Sequence, residues 1–82
     1  MIKVKFYGLL RLKIGMESME VEADSVRGLL YAMEKQLEGL TYKDLKQSVI
    51  FINGKNITDL KMYRTKLKDG DNVIFMSPVS GG

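Results

Sequence analysis

Few residues of this 82-residue chain belong to types that carry chemistry. It has no histidine and no cysteine, and its 13 basic and 10 acidic residues are spread along the sequence rather than clustered. A thiolate nucleophile, a cysteine metal site and a disulfide framework are therefore excluded. What stands out is the end of the sequence, "SPVSGG", residues 77–82. Gly81 and Gly82 have no side chain, so they bury no apolar area and order poorly. Such residues are either a frayed or leftover end, or the approach to a reactive group, the carboxylate of Gly82 itself. Pro78 fixes its own φ and biases Ser77 away from helical geometry, which predicts a tail presented in extended form.

The elements that would have to hold such a tail are legible from periodicity. "MIKVKFY" alternates strictly, with Ile2, Val4 and Phe6 on one face and Lys3, Lys5 and Tyr7 on the other, as in a half-buried strand. "GLLRLKIG" is bracketed by Gly8 and Gly15 and reads as a long hairpin connection. "ESMEVEA" alternates again, with Met19 and Val21 inward, and should pair with the first strand. In "DSVRGLLYAMEKQLEG" the period changes: Val26, Leu29, Leu30, Met33 and Leu37 form one helical stripe. Asp24 or Ser25 can cap that helix and Gly39 can stop it. Gly28 inside the first turn gives up about 1 kcal/mol against alanine, which a close approach of helix to sheet would explain.

Residues 40–48 read as a loop or short helical turn anchored by Leu45. "VIFIN" is a β-branched and aromatic run ending in the turn signal Asn53-Gly54. "KNITDLKMYRTKL" is irregular, with a short edge strand expected near Ile57. "KDGD" is a turn and "NVIFMS" the final strand. The order β–β–α–β–β describes an α+β fold, a sheet of four or five strands with one main helix across one face. Residues 1–76 form the expected domain and residues 77–82 the tail.

Composition sets the class. The chain is 45% hydrophobic and 28% charged, as in an ordinary globule, and its size permits one small core. No apolar run is long enough for a membrane helix, and the start lacks a signal-peptide core. A formal charge of +3 without a basic stripe among aromatics argues against nucleic acid. A cytoplasmic location is the expectation.

The sequence resembles the MoaD/ThiS sulfur carriers, ubiquitin-like β-grasp proteins, and most closely their MoaD-type members, the small subunits of molybdopterin synthase. The resemblance is carried by "MIKVKFYGLLRLKIG", with Arg11 and Gly15 in their usual places, by "DSVRGLL", by "INGK", and by "LKDGDNVIFMSPVSGG". Many relatives have a second proline where this chain has Ser77, a difference expected to loosen the tail slightly. The resemblance implies that an adenylating enzyme of the ubiquitin-activating type, MoeB/ThiF-like, uses ATP to activate the Gly82 carboxylate. A sulfur donor then converts it to a thiocarboxylate. No cofactor or metal is bound by the carrier. The sulfur acceptor would be a MoaE-like large subunit of molybdopterin synthase, with the chemistry residing in the partners. Gly81 must then fit a narrow channel that Pro78, Val79 and Ser80 also enter, and Arg11 occupies a position that contacts partners.

Strand parity adds a docking surface. If Ile50, Ile52, Val73 and Phe75 face the helix, then Phe51, Ile74 and Met76 face outward, with Tyr7 nearby. Large apolar side chains on the open face of so small a domain suggest a partner-binding patch. Four functions compete: the MoaD-type carrier or its tungsten-cofactor equivalent, a ThiS-type carrier for thiamin thiazole, a ubiquitin-like modifier joined to lysines through Gly82, and a β-grasp interaction module with an inert tail.

Overall fold

A computed structural model describes residues 1–77. Strand β1 (Ile2–Tyr7) is followed directly by helix α1 (Gly8–Ile14), strand β2 (Ser18–Val21), helix α2 (Val26–Gln36) and helix α3 (Tyr42–Lys46). Strands β3 (Val49–Ile52), β4 (Lys55–Asn56) and β5 (Asn72–Met76) complete the sheet, with two 3-10 turns, Ile57–Asp59 and Met62–Arg64, between β4 and β5. The five strands lie in the order β2-β1-β5-β3-β4. The β1–β5 pair at the centre is parallel and the other pairs are antiparallel. This mixed sheet with α2 across one face is the β-grasp arrangement.

Alternation in β1, β3 and β5 turns one side of each strand inward. Ile2, Val4, Phe6, Ile50, Ile52, Val73 and Phe75 are all buried, and they meet Val26, Leu29, Leu30, Met33 and Leu37 from the α2 stripe. Phe6 and Phe75 sit side by side across the parallel pair with ring centres 6.1 Å apart. Each such fully buried aliphatic side chain contributes roughly 1.5–3 kcal/mol, so in a domain this small the stripe is the main source of stability.

The helix ends follow from local chemistry. Ser25 caps α2, its Oγ accepting a hydrogen bond from the Gly28 N–H at 3.1 Å. After the helix, the chain reverses at Gly39, whose φ of +76° favours a residue without Cβ. Helix α3 carries a capping box: Thr41 and Asp44 each accept from the other's backbone N–H. The Thr41 backbone N–H, with its hydroxyl, holds the Asp44 carboxyl below the usual carboxylate range. Leu45 is fully buried, as expected, and Tyr42 stacks on Tyr31 of α2 at 4.4 Å.

Three sequence expectations change. Residues 8–15 are not an open connection: a seven-residue helix fills them, ending at Gly15 (φ +81°), whose N–H donates to the Arg11 carbonyl. Leu10 and Ile14, one turn apart, pack toward the core, and this anchors a helix too short to stand alone. Second, Gly28 does not mark an approach to the sheet. A Cβ there would meet the capping Ser25 Oγ at 3.3 Å, so the crowding is within the cap. Third, the edge strand is Lys55–Asn56, while Ile57 starts a 3-10 turn and is buried in the core.

Candidate functional site

The face of the sheet turned away from α2 is built by the residues between the core positions. Register sets its rows. Tyr7 of β1 lies beside Met76 of β5, which pairs with Val49 of β3. One row along, Lys5 lies beside Ile74, which pairs with Phe51, and Phe51 pairs in turn with Asn56. Residues directly opposite on neighbouring strands put their side chains on the same face. The structure thus brings Tyr7, Phe51, Ile74 and Met76 together, as parity predicts. Tyr7 is exposed and the other three are half-buried. Val49, which the sequence reading did not name, completes the patch. Its signal was present in "VIFI", where Val49 and Phe51 alternate with the inward Ile50 and Ile52.

The rim of the patch is polar. Lys3 and Lys5 continue the outward row of β1, with Glu20 and Ser18 of β2 beside them. The apolar centre is thus flanked on one side by two ammonium groups.

Arg11 belongs to a different surface. It projects from α1 into solvent, with Nη2 3.6 Å from Glu17 Oε2, an exposed pair that contributes little to stability. On the same helix Leu9 and Leu12, three residues apart, are 72% and 76% exposed. Reading this stretch as a connection hid them. Once it is a helix, Leu10 and Ile14 take the inner side and Leu9 and Leu12 the outer.

The patch and α1 meet where the tail begins. Tyr7 and Met76 are the last pair of the β1–β5 ladder; β1 continues into α1 and β5 into Ser77. The Ser77 hydroxyl, expected to loosen the tail, instead accepts a hydrogen bond from the Leu10 N–H at 2.6 Å. Pro78, Val79, Ser80, Gly81 and Gly82 lie outside the described residues, so their predicted roles have no geometry here.

At the opposite end of the sheet a polar lock joins β3 to β5. Asn53, with φ +49° in the turn after β3, donates from Nδ2 to Asp71 Oδ1 at 3.0 Å and accepts from the Asn72 N–H at its Oδ1, also 3.0 Å. The Lys68 N–H, 2.8 Å from Asp71 Oδ2, and the Asn53 amide hold the Asp71 carboxyl below its ordinary range. These bonds close a turn at the rim of an open depression of about 300 Å³ that Asn53, Lys68 and Asp71 help to line; the groups satisfy one another, so their role is structural.

Among the described residues no three metal-ligating side chains come together, and no buried side-chain polar atom lacks a hydrogen-bond partner. No helix described is long and apolar enough to cross a membrane.

Residues 4–82 match the family model described as ThiS family. Among solved structures, the protein–protein complex of subunits 1 and 2 of molybdopterin-converting factor from Helicobacter pylori contains a similar chain. It is 30% identical, with 99% of this chain and 97% of that one covered and a TM-score of 0.68. Small archaeal modifier protein 1 from Methanosarcina acetivorans is 28% identical over 99% of this chain and 95% of its own, with a TM-score of 0.80. A chain of the Amycolatopsis orientalis BexX/CysO complex shares the fold, with a TM-score of 0.80 at 20% identity and full coverage of both chains. The sequence matches no curated protein.

Proposed function

The chain belongs to the ThiS family, and on that premise we propose that it is a MoaD-type sulfur carrier, the small subunit of a molybdopterin synthase. The observation that carries the sulfur-carrier reading is the extent of the family match, which runs from residue 4 through Gly82 and so includes the Gly-Gly end; the molybdopterin synthase role is supported by the 30% identity to a chain of the H. pylori molybdopterin-converting factor complex. A carboxylate is a poor electrophile, and activation supplies the missing leaving group. In this reading a Gly82 carboxylate oxygen attacks the α-phosphorus of ATP in an adenylating enzyme and pyrophosphate departs. A sulfur donor then displaces AMP from the acyl carbon to leave a thiocarboxylate. In the acceptor enzyme, the molybdopterin synthase large subunit, that sulfur passes to the pterin precursor. ATP and sulfur donor are substrates of the partners, and this chain contributes a tail and a surface.

The physical requirements suit the sequence. A tail entering a narrow channel tolerates no Cβ next to the reacting carbon, and Gly81 and Gly82 have none. The catalytic acids and bases lie in the partners, consistent with a chain lacking histidine and cysteine. The patch of Tyr7, Val49, Phe51, Ile74 and Met76 beside the tail root supplies the binding energy, and Arg11 on α1 offers a separate contact. The H. pylori complex, subunits 1 and 2 of molybdopterin-converting factor joined together, is the precedent for such docking.

A second reading is favoured by the likeness to a small archaeal modifier protein: Gly82 could form isopeptide bonds with lysines of other proteins. Intact mass spectrometry separates the two. Incubated with its adenylating enzyme, ATP and a sulfur source, the carrier should gain the mass of sulfur in place of oxygen, located at Gly82. Deletion of Gly82, or Gly81→Val, should abolish this without unfolding the domain. A modifier would instead appear as Gly82 linked to lysines in digests of the cell's proteins. Formation of neither product with the cognate enzyme sinks both readings. ThiS-type and tungsten-cofactor carriage share the tail chemistry, and they are told apart by which acceptor enzyme consumes the thiocarboxylate.

A further inference from the structure

Helix α1 begins without a local cap: Tyr7 makes no side-chain hydrogen bond to it. The Leu10 N–H, third in the helix, is one of the donors that a helix start leaves without an intrahelical partner. Ser77 fills the role from 67 residues away, with Oγ 2.6 Å from that nitrogen in a partly buried contact. The helix start also lies against Ser77. Gly8 has φ +68°, and a Cβ built on it would stand 3.8 Å from Ser77 Oγ and 3.9 Å from its Cβ. Ser77 is the first residue beyond the Tyr7–Met76 pair that ends the β1–β5 ladder. The hydroxyl therefore ties the root of the tail to α1 just where the sheet releases it.

We propose that Ser77 is a positioning residue for tail activation, fixing the root of the tail against α1 before a partner binds. This rests on the carrier reading given above. Ordering a chain segment in advance removes part of the entropy otherwise lost on binding. The hydroxyl is also not part of the reacting group, since four residues of the sequence lie between Ser77 and Gly82. Its contribution should therefore appear in KM for the carrier and not in kcat. A threonine keeps the acceptor oxygen, whereas an alanine removes it.

The test uses the full chain with its cognate adenylating enzyme and ATP, following pyrophosphate exchange as carrier concentration varies, together with amide hydrogen exchange of the free carrier. In Ser77→Ala, exchange at the Leu10 amide should quicken by about 2- to 10-fold, the range for one neutral hydrogen bond. KM should rise by a similar factor with kcat within about twofold of the parent. Ser77→Thr should restore both, which separates loss of the hydroxyl from a general loss of folding. An unchanged Leu10 exchange rate overturns the proposal, because the bond then does not hold the root. Faster exchange with an unchanged KM overturns it too, leaving Ser77 as a cap for α1 alone. A fall in kcat matching that in kcat/KM would place Ser77 in the chemical step and likewise end it. If the parent chain supports no exchange at all, the carrier reading fails and the positioning role falls with it; if only the Ala and parent chains prove indistinguishable, the carrier reading stands.

Discussion

Phe51 is half-buried on the open face, flanked by Ile74 on β5 and Asn56 on β4. Its neighbours shield part of the ring and leave the rest exposed. Because it sits outside the core, Phe51→Ala should lower stability by less than the roughly 3–5 kcal/mol of a core Phe truncation. The same change should weaken binding to either partner enzyme by about 2 kcal/mol or more, as aromatic anchors at the centre of interfaces do. Titration calorimetry beside thermal denaturation measures the two effects; full affinity with lost stability would make Phe51 a structural residue only. Asp71 poses an electrostatic question at the other end of the sheet. The Lys68 N–H, and after it the Asn53 amide, favour its ionised form, so its pKa is lower folded than unfolded. The sign follows: its contribution is complete above the ordinary carboxylate range and is lost as pH falls through the depressed value. Asp71 is near the surface, so the effect is small, under about 1 kcal/mol. Asp71→Asn should be less stable than the parent at neutral pH and converge with it in acid, as urea titrations at several pH values would reveal. Asp44 is depressed too, so the variant should keep part of the parent's acid sensitivity.

The start of α2 sets two local preferences against each other. Gly28→Ala should gain about 1 kcal/mol of helix propensity. The new Cβ, however, would press on Ser25 Oγ from 3.3 Å and disturb a cap that itself contributes about 1 kcal/mol. The gain should therefore be small in the parent and approach its full size in a Ser25→Ala background. A double-mutant cycle by urea denaturation measures that coupling, and strict additivity would mean that the cap absorbs the methyl group freely. This cap was legible in the sequence because its partners are three residues apart, and so was the α2 stripe, which repeats every turn. β1 and β2 were legible for the same reason, their local period of two, and β3 and β5 from β-branched and aromatic runs beside turn signals. Helix α1 was not. Its seven residues are bracketed by glycines, its first turn has no local cap, and what holds it is the packing of Leu10 and Ile14 and a hydroxyl at Ser77. Those are long-range facts that no window along the chain contains. The candidate site divides the same way. Parity gathered Tyr7, Phe51, Ile74 and Met76 and would have added Val49, whereas Leu9 and Leu12 became visible only with the helix that exposes them.

At the scale of the molecule, the two faces of the sheet differ in what covers them. One face is closed by α2 and takes the fully buried residues; the other remains open and carries the apolar patch. The parallel β1–β5 pair lies at the centre of the sheet, so Ser77, the root of the tail, sits at the middle of the sheet's end, beside that patch and beside α1. A partner that draws in the tail must approach over this same end. The adenylating enzyme and the sulfur acceptor of the proposed cycle both need the tail, so their footprints should overlap and their binding should be exclusive. The acceptor enzyme, added in increasing amounts, should then inhibit adenylation competitively with respect to carrier, raising apparent KM without lowering kcat. Phe51→Ala should weaken its inhibition together with its binding, because one patch serves both. Pyrophosphate exchange at several acceptor concentrations reads this directly. Inhibition that lowers kcat alone, or a ternary complex of both enzymes on one carrier in sedimentation analysis, would show that the two partners hold separate surfaces, and the single-patch reading would be wrong.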